Sequence, residues 1–135
     1  MVDIIKLEIV TPETTVYSDD VEMVTLPGVE GQMGVLPQHT RLMTQMVPGE
    51  LIIRKNGRDD YMAVGDGLVE VTNDRVSIVT NMAIQVDKID EAAVEEARQR
   101  AAARLQEKLS SEEVASVNAS LAHSLTQLKV KRRHR

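Results

Sequence analysis

The groups in this chain that can do chemistry are three histidines, one glycine triplet, two Asp-Asp pairs and one dense run of cations. His39, His123 and His134 lie too far apart in sequence to supply two imidazoles three to five residues apart, the spacing on which a zinc site usually rests. Cysteine is absent, which removes thiolate nucleophiles, disulfides and cysteine-rich zinc centres in one step. Gly28-x-x-Gly31-x-x-Gly34 has the glycine density of a phosphate loop. It lacks the following Lys-Ser/Thr and a helix to present amides to an anion, so these glycines read as markers of tight turns and a bulge between short strands. Asp19-Asp20 and Asp59-Asp60 fall in predicted turns, where Asp serves turn chemistry. Asn118-Ala119-Ser120 fits a glycosylation sequon but falls in a predicted helix, and no meaning attaches to it. No Walker loop, G-x-S-x-G elbow or kinase signature occurs. The expectation is a non-catalytic protein with no metal and no cofactor.

The cations are distributed unevenly. Residues 1 to 88 hold 7 Lys+Arg against 14 Asp+Glu, whereas residues 89 to 135 hold 9 against 7. Lys129, Lys131, Arg132, Arg133 and Arg135 crowd into the last seven positions. Nucleic acid would be the reflex partner for such a tail, but an acidic body repels phosphate, and aromatics at 1% leave no stacking platform. An acidic protein surface fits better, with a solvated chain end as the alternative.

The elements that must position these groups follow from length and periodicity. The 135 residues, 42% of them hydrophobic, make one domain or a domain with a small appendage. No apolar stretch approaches the roughly 20 residues of a membrane-spanning helix, and Met1-Val2-Asp3-Ile4 does not read as a secretory signal. A soluble chain that stays where it is made is expected, without direct membrane insertion. Short β-branched runs divided by turn signals predict an antiparallel β-sandwich of about ten strands over residues 1–87. Ile4–Val10 is one run, Val21–Leu26 another, and Leu51–Lys55 meets the hairpin dipeptide Asn56-Gly57. Val69–Thr72 and Arg75–Val79 flank a second turn at Asn73-Asp74.

Residues 88–135 lack Gly and Pro and are rich in alanine, which predicts two helices in an antiparallel hairpin. Asp90 is the expected N-cap of the first, with Ala93, Ala97, Ala101, Leu105 and Leu109 on one face. Ser110 and Glu113 form the expected capping box of the second, whose apolar positions are Val114, Val117, Leu121, Leu125 and Leu128. Alanine faces bury little area at about 25 cal/mol per Å². The hairpin is therefore expected to detach from the sandwich and pack elsewhere.

Leu26-Pro27-Gly28-Val29-Glu30-Gly31-Gln32-Met33-Gly34-Val35-Leu36-Pro37-Gln38-His39 resembles the signature of the epsilon subunits of F-type ATP synthases. Gly67–Ile78 resembles that family's second stretch, and Ile89-Asp90 opens a similar helical hairpin. The resemblance spans essentially the whole chain. It implies a rotor subunit on the cytoplasmic face of a bacterial plasma membrane, its sandwich packed on the gamma subunit and resting on the c-ring, coupling ion flow to the catalytic head. The implied ring contacts are Glu30, Gln32, Met33 and His39, with a turn-side histidine bonded to local backbone as the alternative for His39. Some relatives carry glutamate where Gln32 stands.

The resemblance further implies that the hairpin inhibits ATP hydrolysis by carrying basic residues to the beta and alpha subunits. The matching positions are Arg98, Arg100, Arg104 and Lys108, for which a solvated helix face is the alternative, together with Lys129, Lys131, Arg132, Arg133 and Arg135. Some relatives bind ATP on the hairpin through arginines. Ala93, His123 and Gln127 occupy those places here, so no useful nucleotide binding is expected. A free-standing adaptor with an acidic partner is the rival reading, and it would purify without ATP synthase components; an enzyme with an unrecognised site would show turnover.

Overall fold

A computed structural model describes residues 3–134. Ten strands run in order from Ile5–Val10 (β1), Thr15–Val21 (β2), Met23–Gly28 (β3), Gly31–Val35 (β4) and Leu42–Met46 (β5). Gly49–Lys55 (β6), Arg58–Val64 (β7), Gly67–Val71 (β8), Arg75–Thr80 (β9) and Ala83–Gln85 (β10) complete them. A 3-10 turn at Val86–Lys88 leads to the helices Glu91–Arg104 (α1) and Ser111–Arg133 (α2). The strands pair in the order β10-β7-β6-β3-β5-β8-β9-β1-β2, with β4 on β3. Only the Gly28–Met46 pair joins β3 to β5, so the path folds there into two layers.

Alternation decides which face is core. Ile5, Leu7 and Ile9 of β1, Leu51 and Ile53 of β6, and Val76 and Ile78 of β9 point between the layers and are buried. Asn56 (φ 53°) and Gly57 (φ 73°) both take the left-handed backbone of the tight turn that their sequence predicts, so β6 and β7 pair from Lys55–Arg58 to Gly49–Val64. At the other expected turn, Thr72 donates its hydroxyl to Asp74 (3.0 Å) and its amide to the Arg75 carbonyl (2.8 Å).

Several local expectations change. β1 and β9 pair in parallel, from Lys6–Arg75 to Val10–Val79, because they are not joined by a hairpin and meet only when the layers close. The run Val21–Leu26 divides at Glu22 between β2 and β3. Asp19, Asp20, Asp59 and Asp60 lie in strands rather than turns, and for Asp19 and Asp59 a cation on a neighbouring strand makes the extended geometry acceptable. Asp59 faces Arg54, which donates to it at 2.9 Å, and Lys55 donates to Asp19.

Both helix starts follow the sequence. The Asp90 carboxylate accepts from the Ala93 amide (3.1 Å), and Ser110 and Glu113 satisfy each other's amides at 3.2 Å. The faces differ from expectation. α1 ends at Arg104, leaving Leu109 and Lys108 in the link, and Ala93 is exposed while Val94, Ala97, Arg98 and Ala101 turn toward α2. A four-residue repeat drifts about 40° per step on a helix of 3.6 residues per turn, which carries Ala93 off the stripe. On α2, Val117, Ser124 and Leu128 are buried, whereas Leu125 is 48% exposed. The alanine face of α1 therefore meets α2, and the end of α2 meets the sandwich.

Candidate functional site

Of the residues expected at the ring, Glu30, Gln32 and Met33 share the β3–β4 hairpin, whereas His39 lies in the link from β4 to β5 beside the β8–β9 turn, where the Gln38 amide donates to the Asn73 carbonyl (2.9 Å). Pro27–Gln32 and Gly28–Gly31 pair across the β3–β4 hairpin, and Gly31 adopts φ 117°. Val29, Glu30 and Gln32 are exposed, and Met33 is half-buried against the core. The glycine triplet thus lies on a β-hairpin and presents no helix N-terminus to a phosphate. The His39 Nδ1–H donates to the Thr40 carbonyl (2.7 Å), the local backbone bond described above as its alternative.

Some of the hairpin's cations have partners within the chain. Arg98 donates to Glu95 (2.6 Å), and Arg104 approaches Glu113 (3.5 Å) and Glu107 (3.9 Å). The Arg98 guanidinium, first of all, and then Gln99 and Arg132, hold the Glu95 carboxyl down at about 2. Arg100, Lys108 and Lys129 are exposed, with no ion pair recorded among the described residues. At the nucleotide positions, Ala93 faces solvent and His123 and Gln127 are half-buried. The guanidiniums of Arg98 and Arg132 are already engaged with Glu95 and Glu91.

The last turn of α2 concentrates contacts that the sequence did not disclose. Val130, 3% exposed, packs with Ala63 and Ile89. Lys131 donates to the Val86 carbonyl (2.9 Å). Arg132 donates to Glu91 (2.8 Å) and Glu95 (3.4 Å). Arg133 donates to Glu50 (3.0 Å). His134 bonds the other Glu50 oxygen and stacks on Tyr61, ring centres 3.8 Å apart. Successive helical residues step by about 100°, so contacts from five consecutive positions reach out in several directions around the helix axis. Arg135, placed in the same cluster by the sequence, lies outside the described residues.

Glu50 is the residue that sequence reading missed. It pairs across the sheet with Ala63, which pairs with Ile84, and this outer-face row is the platform on which the helix end sits. Its side chain is only 7% exposed. An acid preceding Leu51-Ile52-Ile53 gives no signal of burial until its strand and helix neighbours are known. A crevice of about 550 Å³ beside it is lined by residues including Gln32, Pro48, Leu125 and Lys129, so the β3–β4 hairpin and the basic end of α2 border one space. The opposite outer face carries an uncovered apolar row: Leu68 pairs with Val79, and Val79 with Val10, the first two 55% and 58% exposed.

Among the described residues, no group of His, Asp and Glu is arranged to hold a metal, and no helix is long and apolar enough to cross a membrane. The beta-sandwich domain model of the ATP synthase delta/epsilon chain matches residues 4–86, and the family's long alpha-helix domain model matches residues 87–132. The chain is 40% identical over 126 residues to the ATP synthase epsilon chain of Herpetosiphon aurantiacus, covering 93% of each. It is 43% identical over 131 residues to that of Chloroflexus aggregans, covering 97% of this chain and 94% of the relative. A chain in the mitochondrial ATP synthase OSCP/F1/c-ring structure of Euglena gracilis shares the fold at a TM-score of 0.65 and 23% identity, over 96% of this chain and 78% of that one. A chain in the central stalk/c-ring structure of the Tetrahymena thermophila mitochondrial enzyme shares it at 0.63 and 13%, over 94% and 96%.

Proposed function

Because the chain belongs to the ATP synthase delta/epsilon family and resembles its epsilon chains, we propose that it works as a non-catalytic central-stalk subunit with two tasks. The sandwich couples ion flow to ATP synthesis at the cytoplasmic face of a bacterial plasma membrane, and the hairpin restrains ATP hydrolysis. The β3–β4 tip, with Glu30, Gln32 and Met33, and the β4–β5 link, with His39, meet the polar loops of the c-ring. Exposed polar groups on a stiff hairpin suit a contact that must hold while turning. The open row of Leu68, Val79 and Val10 meets the gamma subunit, since apolar side chains standing together in water favour a protein partner.

The observation that carries the regulatory half is how the hairpin is held. Ser111–Ser116, at the start of α2, are exposed, whereas the opposite end is clasped by ion pairs and one buried valine. A helix held at one end by charges can exchange those charges for others. Arg98, Arg100, Arg104, Lys108, Lys129, Lys131, Arg132 and Arg133 would then face acidic segments of the beta and alpha subunits. Individual exposed pairs contribute under about 1 kcal/mol, so several act together and weaken with salt.

The decisive experiment measures ATP hydrolysis by a reconstituted head. Truncation after Lys88 should raise the rate, and neutralising Lys129, Lys131, Arg132, Arg133 and Arg135 together should recover part of that rise. Equal rates for the full, truncated and neutralised chains would refute inhibition. For the ring contact, substituting Gln32 or His39 with a bulky or oppositely charged residue should weaken proton pumping in an assembled enzyme. Unimpaired pumping would remove that assignment.

A further inference from the structure

We propose that Glu50 is the latch that holds the hairpin on the sandwich, an inference that rests on the reading of the hairpin as a movable element. Most acids of this chain face water, but the Glu50 side chain is 7% exposed on an outer sheet face, and its cover is the end of α2. Its two oxygens accept from different residues, one from Arg133 and the other from His134. His134 is fixed in turn by stacking on Tyr61 of β7. The carboxylate therefore bonds the last helical residue and the one after it, where the negative end of the helix dipole already favours cations. Arg133 is half-exposed, so the pair is reached by solvent from one side and can dissociate without stranding a buried guanidinium.

The other anchors differ in kind. Arg132 binds Glu91 and Glu95, which belong to α1, and those bonds travel with the hairpin if it leaves. Val130 and Lys131 touch Ala63, Ile89 and the Val86 carbonyl, a small apolar contact and one bond to backbone near the hinge. Among the described residues, Glu50 is the sandwich side chain that forms an ion pair with the hairpin, through Arg133, and it also bonds His134. Arg133 commits Nη1 to Glu50, so outside use of that donor requires release from Glu50.

Native-state amide exchange on the full chain tests the latch, because exchange reports rare opening even when the closed form dominates. In Glu50→Gln and in Arg133→Gln, amides of residues 130–133 should exchange about ten- to a hundredfold faster, the range expected for losing a charge-assisted bond. Amides of β8 and β9 should keep their parental rates. The double variant should be no faster than Glu50→Gln alone, since Glu50→Gln already removes the interaction that Arg133→Gln removes. Glu70→Gln, an exposed acid on β8, should change nothing. If Glu50→Gln does not fold, Arg133→Gln decides, because it alters only an exposed helix end. Parental rates at residues 130–133 in both variants, or unprotected amides there in the parent, would overturn the latch. Latch variants that open faster but leave hydrolysis by the reconstituted head unchanged would support the latch and count against inhibition. Parental exchange alongside a hydrolysis rise on truncation would do the reverse.

Discussion

The space between the two sheets and the outer face under the hairpin are both shut from water, yet different interactions close them. Between the sheets, Ile5, Leu7, Ile9, Leu26, Leu51, Ile53 and Ile78 interlock with exposures of 1% or less. Under the hairpin, among the described residues, Ala63, Ile89 and Val130 form a small buried cluster, ringed by Glu50, Arg133, His134 and Lys131. Dispersion and burial of aliphatic surface have no alternative partner of equal quality, so they fix a shape. Ion pairs at a half-exposed edge compete with water, salt and other acids, so they fix a position that can be given up. Under the proposed function, the sandwich persists and the helix end is exchanged.

The sharpest break of that comparison is a core truncation. Leu51→Ala or Ile9→Ala should lower the stability of the whole chain by about 2–5 kcal/mol in denaturant unfolding, whereas Leu125→Ala, at a half-exposed position, should fall well short of that. Equal losses would erase the distinction between core and hairpin. Next in size is removal of the hairpin. A chain ending at Lys88 should unfold in one cooperative transition, because its core residues all lie upstream; a gradual, noncooperative melt would mean that the helices complete the sandwich.

Smaller effects should stay within the helices. Ser110→Ala removes half of the capping box and should cost about 0.5–2 kcal/mol of helix stability, seen as faster amide exchange at residues 112–116 with the sandwich unaffected. The least effect concerns acid. Glu95 is held at about 2 by Arg98, below its ordinary 4.5, so its contribution is complete above pH 4.5 and is lost as pH falls toward 2. Helical circular dichroism of Glu95→Gln should accordingly vary less between pH 4.5 and 2 than that of the parent. Identical profiles would assign the acid sensitivity elsewhere, for example to Asp19 and Asp59, whose carboxyls Lys55 and Arg54 also hold below the usual range.

How much was legible depended on the range of the interaction. Asn56-Gly57 announced its turn because positive φ is a property of those residue types, and Ser110 with Glu113 announced a helix start because its partners lie three residues apart. The division of Val21–Leu26 was not legible, since an unbroken alternating run carries no mark of the point where a chain leaves one layer for the other. Leu125 read as part of a stripe and stands half in water, because a helix packed at one end on a sheet and along one side on another helix has no single buried face. The tail was legible as a basic cluster seeking acid; the acid it finds in this structure belongs to its own chain.

The sequence by itself determined the two-part architecture, the caps, the main hairpin turns and the family, because each rests on residue type and short spacing. Tertiary structure alone decided that β1 lies parallel to β9, that Glu50, Ala63 and Ile84 form one row, and that Arg133 and His134 close on Glu50 from more than 80 residues away. The physical reason is that burial and ion pairing depend on which surfaces meet in space, and those meetings are set by closure of the whole sandwich.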